Sequence, residues 1–178
     1  MDHDTGRLGA PLLTEAQIAR RVDELAREIS EHYRNRELIL ISILKGSYMF
    51  LADLSRRLTI PTRVDFLGLS SYDGTESTGE FRWTARLTTP IEGKHVLLVE
   101  DIADSGRTLA RVLAHLREEE PASLRVCALL DKPSRRKVPV PLDFVGFTID
   151  DLFVVGYGLD YDGWFRQLPY ITVFDPPD

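Results

Sequence analysis

Two adjacent carboxylates, Glu100 and Asp101, end an apolar run that begins at Val96, and Ile102-Ala103-Asp104-Ser105-Gly106-Arg107-Thr108-Leu109 follows. The succession reads as a buried strand, a tight turn and the start of a helix. In open parallel sheets, ligands sit beyond the carboxyl ends of strands. Gly106 lets the backbone approach a ligand, and Ser105, Thr108 and the successive N–H groups can surround a phosphate. The Gly-rich Lys-Ser/Thr pattern of a P-loop is missing, and so is GxGxxG. Carboxylates beside a phosphate cradle repel the ligand unless a divalent metal or a set of hydroxyls intervenes. A phosphorylated sugar supplies the hydroxyls, and oxygen-rich surroundings suit magnesium. The competing reading is an ordinary helix capped by Asp104 or Ser105, with the acidic pair solvated.

Other segments carry weaker chemistry alone. Lys45-Gly46 interrupts an apolar run, where an ammonium beside free N–H groups can hold an anion; a lysine there is also a common surface residue. Lys132 to Lys137 is a dense basic run broken by Pro133 and Ser134, and equally reads as a solvated loop. Phe153 could cover an aromatic base, or it and Tyr157 could be ordinary core aromatics. Trp164 reads as packing, and Cys127 as an inert residue of a buried strand.

These groups need elements to hold them. Thr14-Glu15-Ala16-Gln17 has the spacing of a capping box, and Ile18, Val22, Leu25, Ala26 and Ile29 then recur at helical spacing. Strands are expected at 38–44, 63–69, 95–99 and 124–130, an edge strand at 82–87, and helices at 48–58 and from Arg107. Strand, turn and helix in this succession imply parallel strands with helical crossovers. Ser70 to Glu80 is a polar loop, long enough to move. The tail, with short β-like pieces between Gly and Asp, is expected to form a small cap.

The chain of 178 residues, 43% hydrophobic, suffices for a single domain spanning 1–178. A formal charge of −6 argues against a broad nucleic-acid footprint. A single cysteine excludes an intrachain disulfide, and the four histidines form no close ligand pair. No apolar run is long enough for a membrane helix, and the start has no secretory pattern, so a cytoplasmic location is expected.

Glu100 to Leu109 closely resembles the phosphoribosyl-binding signature of the purine phosphoribosyltransferases. Ile43-Leu44-Lys45-Gly46-Ser47 resembles that family's pyrophosphate loop, and Leu69-Ser70-Ser71-Tyr72 with the polar stretch after it resembles its mobile lid. Leu129 to Arg136 and Asp151 to Asp160 are similar to its 6-oxopurine branch. The resemblance covers about Leu38 to Ile171, in separated segments that agree in order and proposed role. Ala103 and Ser105 replace larger aliphatic residues and Thr, changes that keep the hydroxyl and alter only packing.

The resemblance implies an α/β, type I phosphoribosyltransferase fold: a mostly parallel sheet flanked by helices, with a base-binding hood from about 133 to 178. It implies transfer of the 5-phosphoribosyl group of 5-phosphoribosyl 1-pyrophosphate to N9 of hypoxanthine and/or guanine, giving IMP or GMP and pyrophosphate, with Mg2+. Asp104 is then the catalytic base. Lys45, Gly46, Ser71, Tyr72, Glu100, Asp101, Ser105, Gly106, Arg107, Thr108, Lys132, Phe153, Val154 and Arg166 bind substrate. Asp160 is the metal ligand, joined by Glu100 and Asp101 directly or through ribose hydroxyls or water. A cis peptide is expected between Leu44 and Lys45. The family further implies a homodimer or homotetramer. The alternatives are a non-catalytic nucleotide sensor of the same fold, or a transferase for xanthine or a pyrimidine.

Overall fold

The first helix starts where its capping box places it. In the computed structural model, which describes residues 6–71 and 81–177, Thr14 N–H donates to Gln17 Oε1 (2.9 Å) and Gln17 N–H to Thr14 Oγ1 (3.3 Å). Helix α1 (Glu15–His32) then buries Ile18, Val22, Leu25, Ala26 and Ile29, the stripe read from the sequence.

Strand β1 (Arg7–Leu13) precedes α1, and β2 (Leu38–Leu44), α2 (Tyr48–Ser55), β3 (Thr62–Ser71) and β4 (Phe81–Ala85) follow it. Next come β5 (His95–Ala103), α3 (Arg107–Glu118), β6 (Ser123–Asp131), β7 (Phe144–Thr148), β8 (Val154–Val155) and β9 (Ile171–Asp175). The main sheet has the order β4-β3-β2-β5-β6-β7, parallel except for the edge strand β4. Its central strands are buried on both faces, as crossover helices require. Leu38, Leu40, Leu97, Val99, Cys127 and Leu129 join the core under α1 and α2, while Ile39, Ile41, Val96, Leu98 and Val126 join the core under α3.

From β2 the chain crosses to β3 on one side, and β5 then returns to the other side of β2. The connections after β2 and β5 therefore diverge, and a crevice opens between their carboxyl ends. The two segments singled out first, Lys45-Gly46 and Glu100 to Thr108, meet there.

The structure departs from the sequence reading in several places. β3 runs on to Ser71, into the stretch read as a loop from Ser70, and β5 to Ala103 rather than Val99. Helix α2 ends at Ser55 rather than Leu58; Leu58 and Ile60 instead pack against the α1-side core, and Pro61 accepts a hydrogen bond from Leu38 N–H at 3.0 Å. The edge strand ends at Ala85 instead of Leu87, because Thr88 and Thr89 turn to donate their N–H groups to Asp65 (2.8 and 2.7 Å). β1 was not expected. It is mostly exposed, has irregular register and gains its pairing from β9, far away in sequence. The cap expected at 133–178 is also built differently: β7 extends the main sheet, and β1 joins β9 and β8 in the small one.

Candidate active site

A cleft of about 420 Å³ occupies the crevice, lined by Ile43, Leu44, Lys45, Gly46, Glu100, Asp101, Ile102, Asp104, Ser105, Gly106, Thr108, Leu109, Asp160 and Arg166. Ten of the expected site residues are thus brought together from three parts of the chain. A wider groove of about 740 Å³, with Arg27, Arg34, Thr59 and Pro61 on its walls, contains none of them. The smaller cleft is the better candidate, because it holds buried carboxylates and a helix N-terminus at the point where the strand order reverses.

Gly106 opens α3 with φ +82°, and a Cβ there would lie 2.2 Å from the Val138 carbonyl oxygen. Glycine is therefore required by conformation and by space. The segment after β6 wraps this turn: Lys137 and Val138 donate N–H groups to the Ser105 carbonyl (2.9 and 3.0 Å), and Lys132 N–H donates to that of Ala103 (3.0 Å). Arg136 adds donors to the carbonyls of Asp104 (2.9 Å) and Ala103 (3.1 Å) and pairs with Asp131. These contacts fix the turn through its carbonyl groups and use none of its N–H groups.

Opposite it, a non-proline cis peptide joins Leu44 to Lys45. Ser42 and Ser47, both fully buried, share a hydrogen bond of 2.6 Å, and Ser47 also donates to the Ile43 carbonyl. A Cβ on Gly46 would stand 1.6 Å from Asp101 Oδ2, so the two loops touch with no room for a side chain.

Burial, followed by the neighbouring Asp101 charge, raises the Glu100 carboxyl well above the usual range. Asp101 is raised by burial too, with hydrogen bonds and Arg166 acting against that shift. On the far wall, Asp160 Oδ1 pairs with Arg166 (2.7 Å) and Oδ2 accepts from Gly163 N–H (2.7 Å).

Lys132, Phe153 and Val154 flank the cleft instead of lining it. Lys132 is buried and donates to the Leu152 carbonyl. Phe153 is half-exposed, with Tyr161 edge-on at 6.0 Å, while Val154 is buried in β8. Arg135 Nε lies 3.0 Å from Asp104 Oδ1 and its Nη1 lies 3.3 Å from Asp151, which ties the two sides together. Arg107 is exposed and outside the cleft lining; its N–H lies 3.4 Å from Ser105 Oγ. Ser71 ends β3, and Tyr72 lies outside the described residues.

The model of the phosphoribosyl transferase domain family matches residues 11–162. The chain belongs to the type I phosphoribosyltransferase family, in its hypoxanthine–guanine branch. Its sequence is 50% identical over 163 residues to the hypoxanthine phosphoribosyltransferase of Salmonella typhimurium, covering 90% of this chain and 92% of that one. It is 46% identical to the hypoxanthine-guanine phosphoribosyltransferase of Mycobacterium avium, over 96% of this chain and 88% of that one. A crystal structure of the hypoxanthine-guanine phosphoribosyltransferase of Bacillus anthracis superposes with a TM-score of 0.90 at 40% identity, covering 95% of this chain and all of that one.

In this phosphoribosyltransferase the donor set fits a hard divalent cation. Burial holds the carboxyls of Glu100 and Asp101 above their ordinary range, so a bound cation would favour their ionised, oxygen-donating forms. Among the described residues, however, no group of three or more His, Cys, Asp or Glu could hold a metal alone. Such a cation would therefore take further oxygens from the substrate, as is usual for magnesium.

Sequence reading missed Arg135 and Arg136 as members of the site, along with the Ser42–Ser47 pair. The basic run containing both arginines was visible, but its partners, Ala103 and Asp104, are about 30 residues away.

Proposed function

We infer that the chain transfers the 5-phosphoribosyl group of 5-phosphoribosyl 1-pyrophosphate to N9 of hypoxanthine or guanine, releasing IMP or GMP and pyrophosphate. The observation that carries this reading is the buried Glu100–Asp101 pair set between the α3 phosphate cradle and the Lys45–Gly46 loop. The Ser105–Thr108 N–H groups and hydroxyls would hold the 5-phosphate, and Glu100 and Asp101 the ribose hydroxyls. Lys45, Gly46 and Arg166 would receive the pyrophosphate. Phe153 offers a half-exposed ring to the purine face, Val154 its backbone to the purine edge, and Lys132 a donor to O6. Ser71 and Tyr72 would belong to the lid that excludes water from the reacting sugar.

Asp160, with Glu100 and Asp101 directly or through ribose hydroxyls or water, would hold magnesium, which would supply charge neutralisation for the leaving pyrophosphate. Lys45 and Arg166 stabilise the same charge as it develops. As the C1–O bond breaks ahead of bond formation, the sugar acquires oxocarbenium character. Asp104 then accepts the N7 proton of the base. Arg135 Nε, 3.0 Å from Oδ1 of that carboxylate, would help to hold it in place.

The exposed faces of Leu44, Tyr48, Val64 and Phe66 provide apolar surface for self-association as a homodimer or homotetramer. A cytoplasmic setting belongs to the same reading. Among the described residues no helix is long and apolar enough to cross a membrane. A panel of hypoxanthine, guanine, xanthine, adenine and uracil tests the reading by base-dependent pyrophosphate release with the phosphoribosyl donor. Release with hypoxanthine or guanine is expected. Nucleotide binding without release for any base would mark a sensor instead, and a preference for xanthine or uracil would reassign the substrate.

A further inference from the structure

The connection after β8 crosses the leaving-group side of the cleft in a constrained conformation. Gly156, Tyr157 and Gly158 all have positive φ (101°, 51° and 100°). For Tyr157, a residue with a Cβ, that conformation persists only where the surroundings enforce it. Four contacts do so. Tyr157 N–H donates to the Leu168 carbonyl (2.8 Å), Gly158 N–H donates to that of Arg166 (2.9 Å), and Arg166 Nη1 donates to the Gly158 carbonyl (2.6 Å). The fourth is the phenol of Tyr157, 7% exposed, which donates to Asp53 Oδ2 at 2.7 Å.

Asp53 lies on α2, which starts immediately after Lys45-Gly46-Ser47. Its other oxygen accepts from Arg56 (2.6 Å) and faces Arg57 (3.4 Å), which also holds Asp23 of α1 (2.6 Å). The carboxylate is thus anchored to two helices. The backbones also meet: a Cβ on Gly158 would stand 2.1 Å from the Gly46 carbonyl oxygen. Tyr157 therefore connects the segment that carries Asp160 and Arg166 to the helix that follows the Lys45–Gly46 loop.

We propose that Tyr157 and Asp53 form a positioning strut that sets the spacing between the Lys45–Gly46 loop and Asp160–Arg166, and so controls affinity for the diphosphate end of the sugar donor. The inference rests on the transferase reading given above. Neither residue lines the cleft, so both act through the groups they hold in place. Binding of a diphosphate between two opposed loops depends on their separation, because each contact falls off steeply with distance. The proposed purine contacts at Lys132 and Phe153 lie outside the cleft lining, so the strut is expected to act on them far less. A residue serving only the core would affect both substrates and thermal stability together.

The test compares Tyr157→Phe, which deletes the hydroxyl alone, Asp53→Ala, which removes the acceptor, and Asp53→Asn, whose amide oxygen still accepts. In full-length protein, KM for the phosphoribosyl donor is expected to rise about tenfold in the first two, the scale of one lost hydrogen bond. KM for hypoxanthine should stay within about twofold, and Asp53→Asn should restore donor KM to near the parent value. Titration calorimetry of magnesium pyrophosphate reads the same loss without turnover. If the parent releases no pyrophosphate with any base, the transferase reading fails, while calorimetry still judges the strut. Unchanged pyrophosphate affinity, equal losses for both substrates, or failure of both Tyr157→Phe and Asp53→Ala to fold would each overturn the proposal.

Discussion

Gly46 and Asp101 are in contact at the centre of the cleft, where a single added methyl on Gly46 would overlap Asp101 Oδ2. The carboxylate cannot easily retreat, because its Oδ1 already accepts Ile102 N–H at 2.7 Å and the group is packed in the crevice. Gly46→Ala must therefore displace either Asp101 or the Lys45 loop. Misplacement of about 1 Å costs on the order of a hundredfold in rate. We expect kcat/KM for the phosphoribosyl donor to fall by that order, with only a modest loss of thermal stability. Steady-state kinetics with and without saturating base measure it, and wild-type kinetics in the variant would show that the two loops do not touch.

Lys132, the residue proposed to read purine O6, is buried and donates to the Leu152 carbonyl. Burial lowers its pKa, and Asp104 and Asp151 oppose that shift. A purine O6 accepts from such an ammonium, whereas a 6-amino group presents a second donor. Lys132→Met removes the discriminating group while keeping the aliphatic stem. We expect KM for hypoxanthine to rise roughly 10- to 100-fold, and the preference for hypoxanthine over adenine in kcat/KM to shrink by more than tenfold. A preference that survives intact would assign specificity elsewhere.

Asp65 is buried on β3, and its oxygens accept N–H groups from Phe66 (2.8 Å), Thr88 (2.8 Å) and Thr89 (2.7 Å). Burial acts to raise its pKa, but the three backbone donors outweigh it and leave the carboxyl below its ordinary value. The ionised group therefore stabilises the fold above the unfolded-state pKa of about 3.9, and that stabilisation disappears as pH falls through the lower folded-state value. Asp65→Asn should cost about 1–3 kcal/mol near pH 7. The deficit should narrow in acid as the parent loses its own advantage. Urea unfolding from pH 7 down to pH 3 reads both limbs, and a deficit independent of pH would attribute it to packing.

The parts of the site legible in the sequence are those in which chemistry and positioning element are contiguous. Glu100 to Thr108 contains its own strand end, turn glycine and helix start, so its placement in the cleft follows from local geometry. Lys45 and Gly46 are legible for the same reason, as the break between β2 and α2. Tyr157 and Asp53 are 104 positions apart, and nothing near either residue distinguishes their contact from ordinary packing. The same limit hid β7. Phe144 to Thr148 is half-buried with no alternation, and it joins the sheet where Gly146 lets its backbone approach the Leu129 carbonyl. Strand β1 was invisible because its exposed side chains show no period and its partner, β9, lies at the other end of the chain.

Glu100 provides the opposite sign to Asp65. Burial and the Asp101 charge raise its pKa, so the folded state holds its proton more tightly than the unfolded chain does. Stability then falls as pH rises from the unfolded-state value of about 4.3 toward the folded-state value, and the cost persists at neutral pH without a bound counter-ion. Glu100→Gln keeps the shape and removes the charge. The free variant should melt a few degrees above its parent at pH 7.5, the size of shift expected for about 1 kcal/mol in a domain of this length, and the gap should close near pH 4. Magnesium with the phosphoribosyl donor should reverse the order, because only the parent regains both carboxylate contacts on binding. Donor kcat/KM should drop at least tenfold in the variant. Thermal melts at the two pH values, with and without ligands, measure each part; a variant less stable than its parent at pH 7.5 would mean that Glu100 serves the fold and not the ligand.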